Sequence, residues 1–275
     1  MKLINIGCGC TTHPDWLNLD IAPTNPIVKS FDFRRGLPTG SETTDACYSS
    51  HVLEHARLYE AKFLIQDCFR VLKTGGIIRI VVPDLETIVR EYLHCLDQVR
   101  QGDRTSEANY DWMVLELLDQ VARDCSGGEM AKYLNQSQLS NEDFVSSRIG
   151  FELSNCRAGS QKIMGKKSKL KKLKQPIWLI KKIRYRISET LVFLVAGRSA
   201  QLAFREGMFR NSGEVHRWMY DRYSLSRLLT ESGFINIQIC QADESSIPDF
   251  NTYELDTCQG KVRKPDSLFI EAIKP

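Results

Sequence analysis

Paired cysteines are missing from this sequence. Nine cysteines occur, at positions 8, 10, 47, 68, 95, 125, 156, 240 and 258, yet no two form a C-x-x-C pair. That excludes a zinc ribbon and leaves no disulfide framework. The apolar settings of Cys47, Cys68 and Cys240 suit buried thiols in a reducing, cytosolic compartment. Long apolar runs are missing too. The opening MKLINIGCGC has no apolar signal-peptide core before its glycines. The longest apolar stretch, around 191–196, is far below the roughly 18 residues of a membrane span. Negative charge is missing from 157 to 186, which holds twelve Lys/Arg and no Asp/Glu. The remainder then has 25 basic and 34 acidic residues, a net of −9 against +3 for the whole chain. Such an uneven balance points to an anionic partner for that segment. At 275 residues, 42% hydrophobic and 26% charged, the chain suits one large globular domain, or one domain with an insertion.

Apolar patterning predicts strands at 3–7 (LINIG), 16–21 (WLNLDI), 27–33 (IVKSFDF), 44–50 (TDACYSS) and 77–82 (IIRIVV), the last apolar apart from Arg79. Helical spacing predicts helices at 57–72, ending at Gly75 and Gly76, and at 85–99. Strands then cease. Residues 106–149 read as helical with breaks at Gly127–Gly128 and Ser140–Asn141, and an apolar helix is expected at 177–197. A helix at 224–232 has Ser224 as expected N-cap and Gly233 at its end. Strands return at 234–240 and 267–273, with no obvious helix between them, so an antiparallel last strand is expected. The expected architecture is α/β: a Rossmann-like three-layer sandwich, mainly parallel, with a helical insertion. Its parts are a core at 1–100, an insertion or cap at 101–213 carrying the basic segment 157–186, and closing strands at 214–275.

Ligands of such sheets bind beyond the carboxyl ends of the strands. The first strand ends in Gly7-Cys8-Gly9, whose glycines permit close backbone approach. A dinucleotide fingerprint would need a third glycine and an acid about 20 residues on. Here Gly9 is followed by Cys10-Thr11-Thr12, and Asp20 stands only eleven residues after it. Asp20 ends the second strand as a carboxylate able to accept two ribose hydroxyls. Asp32 and Phe33 end the third with an acceptor and an apolar wall suited to adenine. Ser49, Ser50 and His51 end the fourth.

The stretches INIGCG, WLNLDI, FDFRRGLP, YSSHVLEH, CFRVLKTGGIIRIVVPDL and HRWMYDRYSL stand in the order found in class I S-adenosylmethionine-dependent methyltransferases, which this sequence resembles over 3–100 and 214–275. It is most similar to the type-11-like group associated with surface-polysaccharide biosynthesis. The resemblance implies S-adenosyl-L-methionine as cofactor. It implies that Gly7, Cys8 and Gly9 line the methionine half, that Asp20 takes the ribose hydroxyls, and that Ile21 packs on the adenine. Asp32 and Phe33 would hold the adenine edge, and Ser49, Ser50 and His51 would close the site near the sulfonium. Asn5 stands where the family usually has an acid, and Cys10 where it has a third glycine. The implied activity is O-methylation of a saccharide hydroxyl, with a lipid-linked glycan as one acceptor class. The alternatives are methylation of a small secondary metabolite, or a catalytically silent methyltransferase fold acting as a membrane-associated interaction module.

His51, Glu54 and His55 spell H-x-x-E-H, an inverted zinc-protease signature. That chemistry needs the motif inside a long helix, with a further ligand downstream. Here a β-compatible run precedes it, so no metal site is expected, and Glu54 and His55 are read as supporting the turn into the next helix. A hydroxyl acceptor needs a base, most often histidine. The candidates are His51, His216 in EVHRWMYD, and Asp84. His216 with Arg217, Trp218 and Tyr220 is either a sugar platform or a stacked core pair. The segment 166–197 carries apolar residues at Ile180, Ile183, Ile187, Leu191 and Leu194 among its lysines and arginines. This basic amphipathic pattern suits an anionic membrane surface, or a helix packed on the sheet. Nucleic acid is not expected, since no binding motif accompanies the charge. A cytoplasmic protein, peripheral at the inner membrane face, is the resulting expectation.

Overall fold

The computed structural model describes residues 1–153 and 176–275; the part of the basic segment at 157–175 lies outside the described residues. Five strands run parallel: β1 (Leu3–Ile6), β2 (Trp16–Asp20), β3 (Val28–Ser30), β4 (Thr44–Ser50) and β5 (Leu72–Pro83). Two more follow a helical stretch, β6 (Ile235–Cys240) and β9 (Ser267–Ile273), and β9 is antiparallel to both of its neighbours. The sheet order is β3-β2-β1-β4-β5-β9-β6. This is the expected Rossmann-like α/β sheet with its antiparallel strand. The order reverses between β1 and β4, where a crevice opens beyond the strand ends.

One face is covered by α1 (Leu58–Val71) and α7 (Arg222–Glu231), whose Ala61, Leu64, Ile65, Leu225 and Leu229 pack on Ile4, Ile6, Ile78 and Ile80. On the other face Trp16, Tyr48 and Phe269 meet Ile247, Phe250 and Leu255 from the chain after β6, so a loop covers them. That segment includes a short hairpin, β7 (Thr257–Cys258) with β8 (Lys261–Val262). The link from β1 to β2 contains no helix. Inside it Asn5 Nδ2 donates to Thr11 O (3.0 Å) and to Asn18 Oδ1 (3.1 Å), while Asn18 Nδ2 donates to His13 O (2.8 Å). A pair of buried amides thus does the packing of the missing crossover helix.

Helix α2 (Leu85–Arg100) leads out of the core, and the described residues of the insertion form α3 (Glu107–Ala122), α4 (Gly128–Leu134), α5 (Glu142–Ile149) and α6 (Pro176–Arg210). Helices α2 to α5 share their own core, around Ile88, Trp112, Met113 and Val145.

Four expectations change. Helix α1 stops at Val71 and the chain enters β5 at once, because Lys73, Thr74, Gly75 and Gly76 extend that strand instead of forming a turn. The third strand is only Val28–Ser30; Asp32 then caps a turn at Phe33–Arg35, its side chain accepting from Arg34 N. The N-cap of α7 is Asp221, not Ser224. Asp221 accepts from Ser224 N (2.7 Å), and Ser224 Oγ reaches back to Asp221 N (3.0 Å) in a capping box. Finally, α6 does not end near 197. Gly197 is non-helical (φ 78°, ψ −174°), and the chain doubles back there. The Tyr185 and Phe204 rings lie 5.7 Å apart, and Gln201 Nε2 lies 3.3 Å from Glu189 Oε1. In a straight helix Tyr185 and Phe204 would be separated by roughly 28 Å. The segment is therefore a helical hairpin. Near its tip Leu194 and Val195 are 70% and 87% exposed.

Candidate active site

The crevice begins where β1 ends. Gly7 has φ 67°, and a Cβ there would sit 2.1 Å from Val52 Cγ2, so only glycine fits. Its N–H and that of Cys8 both donate to Leu19 O (2.7 and 3.1 Å), which locks the turn against β2. At Gly9 (φ 52°) a Cβ would meet nothing of the described residues within 4 Å. Among these residues the space beside this backbone is open.

Two adjoining cavities occupy that space. The first is lined by Leu19, Asp20, Ile21, Phe31, Asp32 and Phe33, with His55, Asn211, Ser212 and Gly213 opposite. The second is lined by Asn5, Cys8, Cys10, Thr11, Tyr48 and Ser50, with Phe151, Glu152, Asp256, Arg263 and Lys264 opposite. Gly7, Gly9 and His51 line both.

The residues present fit an adenosylated cofactor. Each Asp20 oxygen accepts one backbone N–H, from Ala22 (2.7 Å) and from Gly9 (2.9 Å). An ionised carboxylate has about four acceptor positions, so two remain for ribose hydroxyls. Ile21, Phe31 and Phe33 give the apolar walls of a base slot. Asp32 has its carboxylate on Arg34 (2.8 and 2.6 Å), whose hydrogen bonds hold it below the usual carboxylate range. Burial, and then the charge of Asp20, push the Cys8 thiol up to about 11. It is a neutral wall and not a nucleophile.

His51 stands at the neck between the cavities. It adopts φ 53°, and its N–H donates to Val81 O (2.9 Å). Its Nδ1 lies 3.2 Å from Glu54 Oε1, and its Nε2 lies 2.9 Å from Ser267 Oγ. Glu54 is wholly buried. Burial works to raise its carboxyl, but the hydrogen bond from His51 and the imidazoles of His51, His55 and His216 bring it to about 2. An ionised carboxylate only accepts, so His51 Nδ1 carries the proton and the Nε2 lone pair faces Ser267. The line Glu54–His51–Ser267 is a carboxylate-oriented imidazole whose second nitrogen meets a serine hydroxyl.

Behind it, His55 Nε2 lies 3.9 Å from Glu54 Oε1, and its Nδ1 lies 3.4 Å from Val215 O. The His55 ring meets the His216 ring edge-on at 4.7 Å. Burial pulls His216 down to about 3, against the charge of Glu54, so this imidazole is neutral at ordinary pH.

The crevice thus gathers Asn5, Gly7, Cys8, Gly9, Asp20, Ile21, Asp32, Phe33, Ser50 and His51. Three expected residues line neither cavity. Ser49 is buried on the opposite side of its strand from Ser50, as the two-residue period of a strand requires. His216 is packed behind His55, and its ring stacks there, not on Trp218. Asp84 caps α2, accepting from Glu86 N (3.1 Å) and Thr87 Oγ1 (2.5 Å). Of the aromatic-basic group, Tyr220 is buried while Trp218 is 46% exposed. Sequence reasoning missed Glu54 as a partner of His51. It also missed Ser267, and the charged far wall of Glu152, Asp256, Arg263 and Lys264.

Residues 17–80, about a quarter of the chain, match the family model described as a methyltransferase domain. The search of curated proteins finds no match. Solved structures similar to this chain include a SAM-dependent methyltransferase from Archaeoglobus fulgidus, at 10% identity and TM-score 0.37, covering 99% of this chain and 86% of that one. Another is a SAM-dependent methyltransferase from Thermotoga maritima, at 9% identity and TM-score 0.36, covering 100% and 82%. The stretch that matches a methyltransferase domain, residues 17–80, thus spans strands β2 to β5 of the Rossmann-like sheet and part of the crevice wall.

Proposed function

We propose that the protein methylates a hydroxyl of a saccharide, with a lipid-linked glycan as the acceptor class, and that His51 takes the hydroxyl proton. The Glu54–His51–Ser267 line at the neck of the two cavities carries this reading. S-adenosylmethionine supplies an electrophilic methyl group. Asp20, Ile21, Asp32 and Phe33 hold the adenosine half in the first cavity. Gly7, Cys8, Gly9 and Ser50 leave room for the methionine half in the second. The Ser267 hydroxyl marks the position from which an acceptor hydroxyl donates to His51 Nε2. Rotation of the serine would free that lone pair, and Nε2 would accept the proton as the acceptor oxygen bonds to the methyl carbon and the carbon–sulfur bond breaks, the demethylated cofactor leaving as a neutral thioether. Glu54 keeps the ring in the tautomer this requires. Such a base contributes about 10²–10⁴-fold to the rate. The charged far wall, Glu152, Asp256, Arg263 and Lys264, supports a polar acceptor rich in hydroxyls. Glu152 belongs to the insertion at 101–213, as do Asn211, Ser212 and Gly213 of the first cavity, which supports reading that insertion as the cap over the crevice.

The test is a calorimetric titration with S-adenosylmethionine and its demethylated product, followed by an acceptor screen. Binding that is lost in Asp20→Ala, and saccharide turnover that is lost in His51→Asn with cofactor binding kept, are the expected results. No cofactor binding at all would sink the enzyme reading and leave the silent module. Turnover only on small hydroxylated metabolites would replace the acceptor.

A second reading concerns α6. We infer that this hairpin touches an anionic membrane surface. Its apolar residues Ile180, Ile183, Ile187, Leu191, Leu194 and Val195 are between 49% and 87% exposed, beside the exposed Arg184 and Arg186. Exposed apolar stripes with basic flanks suit the membrane interface. No described helix is long and apolar enough to cross a membrane. Liposome sedimentation should require anionic lipid and should fall in Leu194→Ser/Val195→Ser; equal binding by that variant defeats the reading.

A further inference from the structure

Glu54 is the starting point. It is 0% exposed, and beyond His51 Nδ1, 3.2 Å from Oε1, its carboxylate oxygens have no hydrogen-bond partner among the described residues. The other buried glutamates each face an arginine: Glu116 faces Arg148, Glu189 faces Arg186 and Arg205, and Glu271 faces Arg79. Among the described residues the ion-pair partners of Glu54 are imidazoles only. A buried carboxylate without a cation is costly, and such groups in folded proteins are paired or hold a metal.

Two further donors converge on it. One ligand atom from each of Glu54, His55 and His216 lies within 4.8 Å of the other two. His216 is buried, and its Nδ1 has no hydrogen-bond partner among the described residues. His55 has Nδ1 directed at the Val215 carbonyl, which leaves Nε2 as its lone-pair nitrogen on the Glu54 side. A histidine that anchors one nitrogen on a backbone carbonyl and presents the other is the usual geometry of a metal-bound imidazole. His51, with Nδ1 on Glu54, supplies the outer contact that a ligating carboxylate also needs.

We propose that Glu54, His55 and His216 form a site for a divalent transition-metal ion, with zinc as the expected occupant. Two imidazoles and one carboxylate suit zinc or cobalt, whereas calcium and magnesium take oxygen ligands. Zinc bonds of about 2.0–2.1 Å put tetrahedral donors roughly 3.3 Å apart, so small rotations of the three side chains close the site. His55, partly exposed on the first cavity, leaves a fourth position facing that space. This is not the H-x-x-E-H protease arrangement. There both histidines of the motif bind; here His51 serves the crevice, and the third ligand comes from a chain that returns after the insertion. The site ties that return to the turn at Leu53–His55, where Arg217 N and Trp218 N already donate to Glu54 O (2.6 and 3.2 Å).

The proposal stands apart from the acceptor reading, and its test needs no methyl transfer. Tag-free full-length protein, purified without chelator, is analysed for metal by mass spectrometry. It is then stripped and titrated with Zn²⁺ against a chromophoric chelator, and with Co²⁺ for its visible absorption. We expect stoichiometric zinc, a tetrahedral Co²⁺ spectrum, and an affinity loss of at least about tenfold in Glu54→Gln and His216→Gln. Protein that retains no zinc and takes up neither ion refutes the site, as does unchanged affinity in both folded variants. If the variants do not fold, the wild type decides through modification of His55 by diethylpyrocarbonate. Protection by Zn²⁺ supports the site, and equal reactivity with and without Zn²⁺ counts against it.

Discussion

Replacing Arg79 by methionine should unfold the far wall of the second cavity before it affects anything else. Arg79 is fully buried in the middle of β5. Its Nε donates to Asp256 Oδ2 (2.7 Å) and its Nη1 to Glu271 Oε1 (2.7 Å) and Glu244 O (2.8 Å). Its Nη2 donates to Gln241 O (3.0 Å) and Ala242 O (3.3 Å), and the guanidinium lies 4.6 Å from the centre of the Phe250 ring. One cation therefore serves two buried carboxylates and clamps the loop after β6 onto the sheet. Methionine keeps the apolar volume but strands both acids. Removing one partner of a buried pair costs about 3–5 kcal/mol, a large share of the roughly 5–15 kcal/mol that holds a domain together. The urea midpoint should fall by about 1–1.7 M at an m value of about 3 kcal/mol/M. Burial already raises the Asp256 carboxyl despite Arg79. Without the arginine Asp256 will bind a proton more readily still, so the loss should be smaller at pH 5 than at pH 8. The triple variant Arg79→Met/Asp256→Asn/Glu271→Gln should regain at least half of it. A loss below about 1 kcal/mol, or a triple variant as weak as the single one, would refute the charge argument.

His51→Asn should preserve the backbone, since asparagine tolerates the positive φ, while kcat falls about 10²–10⁴-fold with cofactor affinity little changed; a kcat close to that of the wild type removes His51 as base. Gly7→Ala should cost about 2–4 kcal/mol through strain and overpacking, and Val52→Ala in the same chain should return the steric part, read by thermal or urea unfolding. Burial raises the Asp266 carboxyl to about 6 from an ordinary value of 3.8, so the folded state holds that proton more tightly than the unfolded chain. Its contribution is full below about pH 4 and is lost as pH rises to about 6, on the order of 3 kcal/mol. Asp266→Asn should therefore stabilise the protein at pH 8 relative to wild type and flatten the profile between pH 4 and 6. An unchanged profile would contradict the assignment.

Much of this fold is legible in the sequence, for physical reasons. The buried runs of β1, β2, β4 and β9 have no polar face to confuse with a helix, and α1 shows its apolar stripe. Lys73 to Gly76 misled because a glycine pair after a helix usually ends it, whereas here the sheet pairing of Gly76 and Lys274 extends the strand (Lys274 N to Gly76 O, 3.0 Å). The reversal at Gly197 was hidden because one glycine in an otherwise helical run is normally tolerated. Within the site, Gly7, Gly9 and Asp20 could be found because they stand at strand ends. Glu54 and Ser267 could not, since their partnership with His51 joins positions more than 200 residues apart in one case and depends on a turn conformation in the other. His216 was recognised as unusual, but the sequence could not show that it lies behind His55 instead of in the crevice.

The two hydrogen bonds from Arg217 N and Trp218 N to the carbonyl of Glu54 have a mechanical meaning. They join the exit of the insertion to the same residue whose side chain steadies His51. The chain that leaves the insertion and the imidazole at the neck of the two cavities therefore share one anchor, Glu54, the first through its backbone carbonyl and the second through its carboxylate.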